Sequence, residues 1–513
     1  MSPPLADRSS SIDAWPRTKR PLPWLVGACI VTLVLLPFDS TTLPVSLPVE
    51  ASLDRVAILV FGFAWVVMAG ARMPNGPAWH ALGVLGVGMF ALVAVGMLSI
   101  LVDLPTLEYG GELQVAVKRL ALLASYGLFL VLVATSIRAD DVRGIVRLVI
   151  VAGCACALGV VYEYRADVNV FFDLTRSVLS GALDVQPEPV PEFEFSRRVI
   201  TGPARHGLAV AAMLAIIAPF ALAYAIEARE LRSRILYGAA FGLLVIGAMS
   251  TLRRTAVIAP IAIVAVFLAY RPRQSLRLAP FALPGVALLH ALSPGAGGSL
   301  FGLLTGGNSL AAASDTGRSE DYVAVHLDIL HRPLLGRGYG AYQPEHYRIL
   351  DNQFLLLLLE VGVIGLACFA LLLAGAWLHA HRLQRMRGSW RGGFGVAALA
   401  ATAVFGVVSA IFDTLSFPQP SYAFMLVAAL ATVVLADAPS SAPPARCEVS
   451  EVGAVPAVAA VPAVAAVPAA GWAGGPAPSP SARWLCPRWI WILAGFALLL
   501  VRSRRRGSGR GRG

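Results

Sequence analysis

The sequence predicts an all-α polytopic membrane protein, and three observations carry that prediction. Of 513 residues, 57% are hydrophobic and only 14% charged, with a mean hydropathy of +0.71; this is too little polar surface to cover a water-soluble globule of this size. The apolar residues come in continuous, helix-length runs without the alternation of a lipid-facing barrel strand, and only helices or closed barrels satisfy their backbone inside a bilayer. Arginines gather in alternate loops between the runs, as the positive-inside rule requires of a helical bundle.

In order, the expected spans number about twelve: 22–37, 56–70, 81–102, 120–137, 145–162, 208–226, 235–252, 256–270, 278–292, 354–377, 396–411 and 423–435. The segment 1–21 carries Arg8, Arg17, Lys19 and Arg20 and is assigned to the cytoplasm. The run behind it lacks a small-residue cleavage site before the acidic loop, so it is expected to remain as the first span. Arg72, then Arg138 and Arg143, then Arg229, Arg232 and Arg234, then Arg271, Arg273 and Arg277, then Arg382, Arg385, Arg387 and Arg391 fall on the same side. Loops with Asp39, Glu50 and Asp54, or with Asp103, Glu108 and Glu112, fall outside. This orientation absorbs most of the net charge of +11, which in a soluble chain would raise nucleic acid as a partner.

Two external loops are long, 163–207 and 293–350, and long ordered loops are usually functional. The second contains an expected helix over 319–330, with Ser319 or Thr316 as N-cap and Tyr322, Val325 and Ile329 on one face, lying on the bilayer or over a cavity. The membrane region 22–437 ends where composition shifts to Pro, Ala and Val. Residues 438–483 read as a disordered linker and 484–513 as an apolar, basic tail that lies on the membrane surface. Cys29, Cys154, Cys156 and Cys368 sit in apolar runs and Cys447 and Cys486 in the tail, so no disulfide is implied.

The informative residues are arginines on the outer side: Lys118 and Arg119 at the fourth span, Arg197, Arg198 and Arg205 before the sixth, and Arg253 and Arg254 in the short turn between the seventh and eighth. The large loop adds Arg318, Arg332, Arg337 and Arg348. Guanidinium binds phosphate oxygens in bidentate fashion and keeps its charge when desolvated, so the cluster fits a diphosphate at headgroup level. No Walker-type Gly-Lys-Ser/Thr, His-Glu-x-x-His or Cys/His cluster is present, so neither a metal nor a cofactor is expected. Gly336, Gly338 and Gly340 follow Pro333 without a preceding strand and read as turn flexibility.

From Thr316 the chain reads Thr-Gly-Arg-Ser-Glu-Asp-Tyr, later Pro-Leu-Leu-Gly-Arg-Gly-Tyr-Gly, Leu-Asp-Asn-Gln-Phe, and Glu-Val-Gly-Val-Ile-Gly. Together with the large loop between the ninth and tenth spans, this resembles the O-antigen ligase and polymerase superfamily. The resemblance implies a metal-independent, inverting glycosyltransferase in the bacterial cytoplasmic membrane. It would take glycan from an undecaprenyl diphosphate donor to a glycan acceptor at the external face, beside other cell-surface polysaccharide assembly proteins. Arg197 or Arg198 with Gly202 and His206 look like the family's arginine motif before the sixth span, with Gly207 in place of its proline. Arg254 looks like the arginine of its Ser-Arg motif, and Arg318 like the arginine that opens the loop helix. The family's ligases carry His-Asn where this chain has Asp351-Asn352, which favours a polymerase or another polysaccharide transferase.

That chemistry needs a base at the acceptor hydroxyl and cations on the leaving diphosphate. Asp351, His331, His346 and Glu360 are the candidates for the base, Asp351 being alternatively the N-cap of the tenth span. Arg197, Arg198, Arg205, Arg253 and Arg254 are the candidates for the donor site. A secondary transporter or flippase is the competing reading, resting on Glu360 just inside the tenth span; transporters, however, bind near the midplane and here the charges gather at the outer edge.

Overall fold

The computed structural model of the protein describes residues 21–42, 53–70, 79–179, 181, 183–186, 188, 193–194, 197–276, 287, 291, 321–344, 346–386 and 389–437. The chain divides into two units, 1–440 and 441–513. The described residues belong to the first, and the expected linker and basic tail lie outside them.

The described residues are mostly helical. They form α1 (Pro21–Leu35), α2 (Leu53–Gly70), α3 (Gly83–Val102), α4 (Leu104–Tyr109), α5 (Leu113–Ser136), α6 (Ala139–Ala166), α7 (Val170–Leu179), α8 (Gly207–Glu227), α9 (Leu231–Ser250), α10 (Thr255–Tyr270) and α11 (Pro272–Ser275). After these come α12 (321–331), α13 (Gln353–Gln384), α14 (Trp390–Ser409) and α15 (Pro418–Ala436). Among the described residues, eight helices (α3, α5, α6, α8, α9, α13, α14 and α15) are long and apolar enough to cross a membrane. Three shorter apolar helices, Leu22–Leu35, Arg55–Val67 and Thr255–Tyr270, coincide with further expected spans. The expected ninth span, 278–292, lies almost entirely outside the described residues.

The bundle is centred on α8, where 89% of the apolar window is buried, against 28% for the peripheral α9. Where lipid removes the hydrophobic drive, helices associate through close backbone approach at small residues. The crossing of α3 and α13 is of this kind. A Cβ on Gly88 would stand 2.4 Å from the backbone nitrogen of Leu372, and one on Gly375 would stand 2.4 Å from that of Leu85.

The end of the bundle that the positive-inside rule assigns to the exterior, called here the outer end, is laced by short strands. Thr41–Thr42 (β1) pairs antiparallel with Asp184–Val185 (β2), and Phe193–Glu194 (β3) with Arg197–Arg198 (β4). The large-loop helix α12 does not present the face expected of it. Val325 and Ile329 pack on Tyr342, Leu350, Leu355, Leu356 and Leu359 at the start of α13, whereas Tyr322 is 53% exposed. The helix thus caps protein rather than bilayer with that stripe. Ser319, Thr316 and Arg318 lie outside the described residues.

Candidate functional site

The glycine motif of the large loop and the Glu-Val-Gly motif of α13 are two halves of one clasp. Helix α13 is broken at Gly362, which has φ 65° and ψ −167°. A break inside an apolar helix orphans backbone groups that lipid cannot satisfy, and the loop supplies the partners. Arg337 N donates to Leu359 O at 3.1 Å and Gly338 N to Glu360 O at 3.0 Å, while Val363 N donates to Pro333 O at 2.9 Å. Contact this close excludes side chains. A Cβ on Gly336 would lie 2.3 Å from the Glu360 carbonyl carbon, and one on Gly362 would lie 2.3 Å from that of Leu334. The glycines at 336, 338 and 340 have positive φ, as the expected tight turn requires, and Gly336 adds a close backbone docking that the sequence did not show.

This clasp fixes Glu360. Its carboxylate is 2% exposed and lies 3.8 Å from Arg119 Nη1, accepts from Tyr342 N at 3.3 Å, and also receives the backbone N–H of Gly340. Arg119 donates in turn to Tyr342 O at 3.3 Å. Glu360 is thereby enclosed in a loop-anchoring ion pair, and the observation that favoured a transporter has a structural role. Three loop arginines are likewise engaged. Arg332 pairs with Asp103, Arg337 lies 3.6 Å from Glu112, and Arg348 lies 2.5 Å from Asp321. Tyr347 stacks on Tyr342 at 4.9 Å and donates to Glu112 at 2.5 Å. Burial raises the phenol pKa of Tyr339, Tyr342 and Tyr347, so these rings act as neutral packing and hydrogen-bonding groups.

The donor-site candidates divide. Arg198 is paired with Glu188 and donates to Asp167 O at 2.8 Å, tying together the 163–207 loop. Arg205 donates to Ser40 Oγ at 3.2 Å and Gln186 Oε1 at 2.6 Å, which joins that loop to the first one. The backbone of Arg197 is in β4. Arg253 and Arg254 are half-buried in the turn between α9 and α10, where Leu252 takes φ 55°. His206, the N-cap of α8, accepts from Leu208 N through Nδ1 at 3.2 Å, which leaves the proton of a neutral ring on Nε2. Burial, helped by the charge of Arg253, pushes its pKa down to about 4.

Asp351 is not the cap of α13. Asn352 is, accepting from Phe354 N at 3.0 Å and Leu355 N at 3.2 Å through Oδ1, while its amide donates to the Tyr322 hydroxyl at 3.1 Å. The structure adds a residue that the sequence reading missed, Asp413, in the loop between α14 and α15. That loop is pinned by Leu415 N donating to Gln353 Oε1 at 2.8 Å and by the Tyr126 hydroxyl donating to Leu415 O at 3.1 Å. Burial pushes the Asp413 pKa up to about 6; the Ser416 hydroxyl and Arg119 pull it down and the charge of Asp351 adds to the rise. Phe417 of the same loop lies 5.9 Å from the His206 ring. Arg253, His206, the 410–417 loop, Asp413 and Asp351 therefore form one continuous neighbourhood at the outer end. A signal for Asp413 was available, since it is the single carboxylate between residues 390 and 436. His331 and His346 are exposed, at the end of α12 and in the following turn.

The arrangement brings a carboxylate of raised pKa within electrostatic reach of a second carboxylate and of Arg119, with Arg253 near His206, which suits proton removal beside an anionic leaving group. Residues 239–370 match the family model described as O-antigen ligase. The matched stretch runs from α9 through the Arg253-Arg254 turn and the loop clasp and continues past the break at Gly362 into α13. No curated protein matches the chain.

Proposed function

From the O-antigen ligase domain at residues 239–370, we infer that this polytopic membrane protein transfers or polymerises polysaccharide units from an undecaprenyl-diphosphate donor at the external face of the bacterial cytoplasmic membrane. The observation that carries the reading is the gathering, at one end of the bundle, of Arg253 near His206, whose ring neighbours Phe417, with Asp413 in the same loop and Asp351 near Asp413. Twelve spans belong to the same proposal, with 278–292 as the ninth and the large loop outside.

In the reaction, the acceptor hydroxyl gives its proton to Asp351 or Asp413 and its oxygen bonds to the donor's anomeric carbon from the face opposite the leaving diphosphate. The bond from that carbon to the diphosphate breaks, its electron pair leaves with the diphosphate, and configuration inverts. Arg253 and Arg254 hold the charge that develops there. Preorganised cations in a partly dry site need little rearrangement for this, which supports catalysis without a metal. Asp351-Asn352, standing where the family's ligases have His-Asn, favours a polymerase.

Lipid-linked glycan from a deletion strain tests the reading. Single repeat units left on the carrier lipid indicate a polymerase and long chains a ligase. Wild-type lipid-linked glycan would exclude both.

A further inference from the structure

At the opposite, arginine-rich end of the bundle, α3, α13 and α15 leave a recess of about 380 Å³. Its walls are mainly apolar, but His379 and Arg382 line it from α13. The His379 ring is 5% exposed and its Nδ1 lies 3.0 Å from Thr432 Oγ1. Thr432 donates its own proton to Ala428 O at 3.0 Å, so the threonine oxygen must accept and His379 must carry its proton on Nδ1. Nε2 is then a lone-pair acceptor. It faces Gly83, where even an added Cβ would remain 3.9 Å away.

Arg382, one turn further along α13, makes no ion pair or side-chain hydrogen bond among the described residues. The carboxylate that follows the recess-lining Ala436, Asp437, is engaged by Arg391 at 2.6 Å. The recess therefore offers one guanidinium and one neutral acceptor. Val84 and Leu378 in its wall are each 42% exposed, and Val87 and Leu371 further along the same helices are 61% and 42% exposed. An apolar track thus leads from the recess along the exposed side of α3 and α13.

We propose that this recess binds the headgroup of an anionic phospholipid bearing a headgroup hydroxyl, such as phosphatidylglycerol, in the leaflet that the positive-inside rule makes cytoplasmic. The phosphodiester sits on Arg382, because guanidinium matches its oxygens. The headgroup hydroxyl donates to His379 Nε2. The acyl chains lie along Val84, Val87, Leu371 and Leu378. Diffuse attraction between a basic surface and anionic lipid would be shared by all the arginines at this end, whereas a site depends on the one that lines it.

The test uses the purified full chain in zwitterionic detergent, with thermal unfolding and native mass spectrometry as readouts. Phosphatidylglycerol is expected to raise Tm and remain bound, and phosphatidylcholine is not. Phosphatidylethanol, an anionic phosphodiester without the hydroxyl, is expected to bind more weakly. Arg382→Gln should weaken phosphatidylglycerol binding by about tenfold or more while keeping its lipid-free Tm, and Arg385→Gln, on the same end but outside the recess, should bind as wild type. The proposal is overturned if Arg382→Gln keeps the full shift or if Arg385→Gln loses as much. It is equally overturned if glycerol 3-phosphate or inorganic phosphate reproduces the shift, since the ligand would then be a soluble anion.

Discussion

Because Asn352 caps α13 through its own side chain, Asp351→Asn leaves that cap intact while it removes a proton acceptor and the charge that raises the Asp413 pKa. Transfer activity should fall by about a hundredfold or more at unchanged protein level; a fully active variant would move the base to Asp413. Arg254→Lys keeps the charge and loses the fork geometry, so an activity loss of about tenfold is expected, again at normal protein level. If Arg254→Lys is as active as wild type, only a general positive surface remains. His206 gives a pH signature. Its folded pKa is depressed from 6.5 to about 4, so the unfolded chain binds the extra proton in that window. Stability present above about 6.5 should be lost as pH falls toward 4. Thermal unfolding of His206→Asn, which retains a capping side chain, should show a flatter dependence over the same range.

The decisive element is the break in α13, because it converts a stretch of loop into part of the helix's hydrogen-bonding scheme. Gly362→Ala would place a methyl 2.3 Å from the Leu334 carbonyl carbon at a φ of 65°. Neither the loop nor the helix can retreat without surrendering buried hydrogen bonds. A loss of at least about 2 kcal/mol is expected, seen as lower Tm and reduced accumulation in the membrane. Gly242→Ala in α9 is the contrast, since nothing lies within 4 Å of its added Cβ and alanine is the better helix former, so it should be neutral or stabilise by about 0.5–1 kcal/mol. Equal behaviour of the two variants would remove the clasp from the account.

For the whole molecule, orientation is the property on which the proposed external site depends. A cysteine introduced at Ser314 is expected to react with a membrane-impermeant thiol reagent in intact cells, and one at Ala438 only after permeabilisation, with the native cysteines as the background control. The reverse pattern would turn the bundle over and place Asp351, Asp413 and Arg254 on the cytoplasmic side. It would also move the recess at Arg382 to the outer leaflet while leaving its chemistry unchanged.

Membrane class and the places of the eight membrane-length helices among the described residues were legible in the sequence because hydropathy is additive: each residue contributes to lipid partitioning largely irrespective of its distant neighbours. The loop motifs were legible as well, and they fell within the stretch that matches the O-antigen ligase family. Pairing was not. Nothing in the sequence names the partners of Arg198, Arg332, Arg337 and Arg348, and only the approach of Glu188, Asp103, Glu112 and Asp321 marks them as braces. Asp413 was not singled out in the sequence, and only folding brings it, partly buried, within electrostatic reach of Arg119 and Asp351. Glu360 passed the other way, from candidate base to anchor, once Arg119 and two loop N–H groups converged on it. Charge interactions act through space between residues far apart in the chain and depend on local desolvation, so only the tertiary structure decided which charges hold the fold.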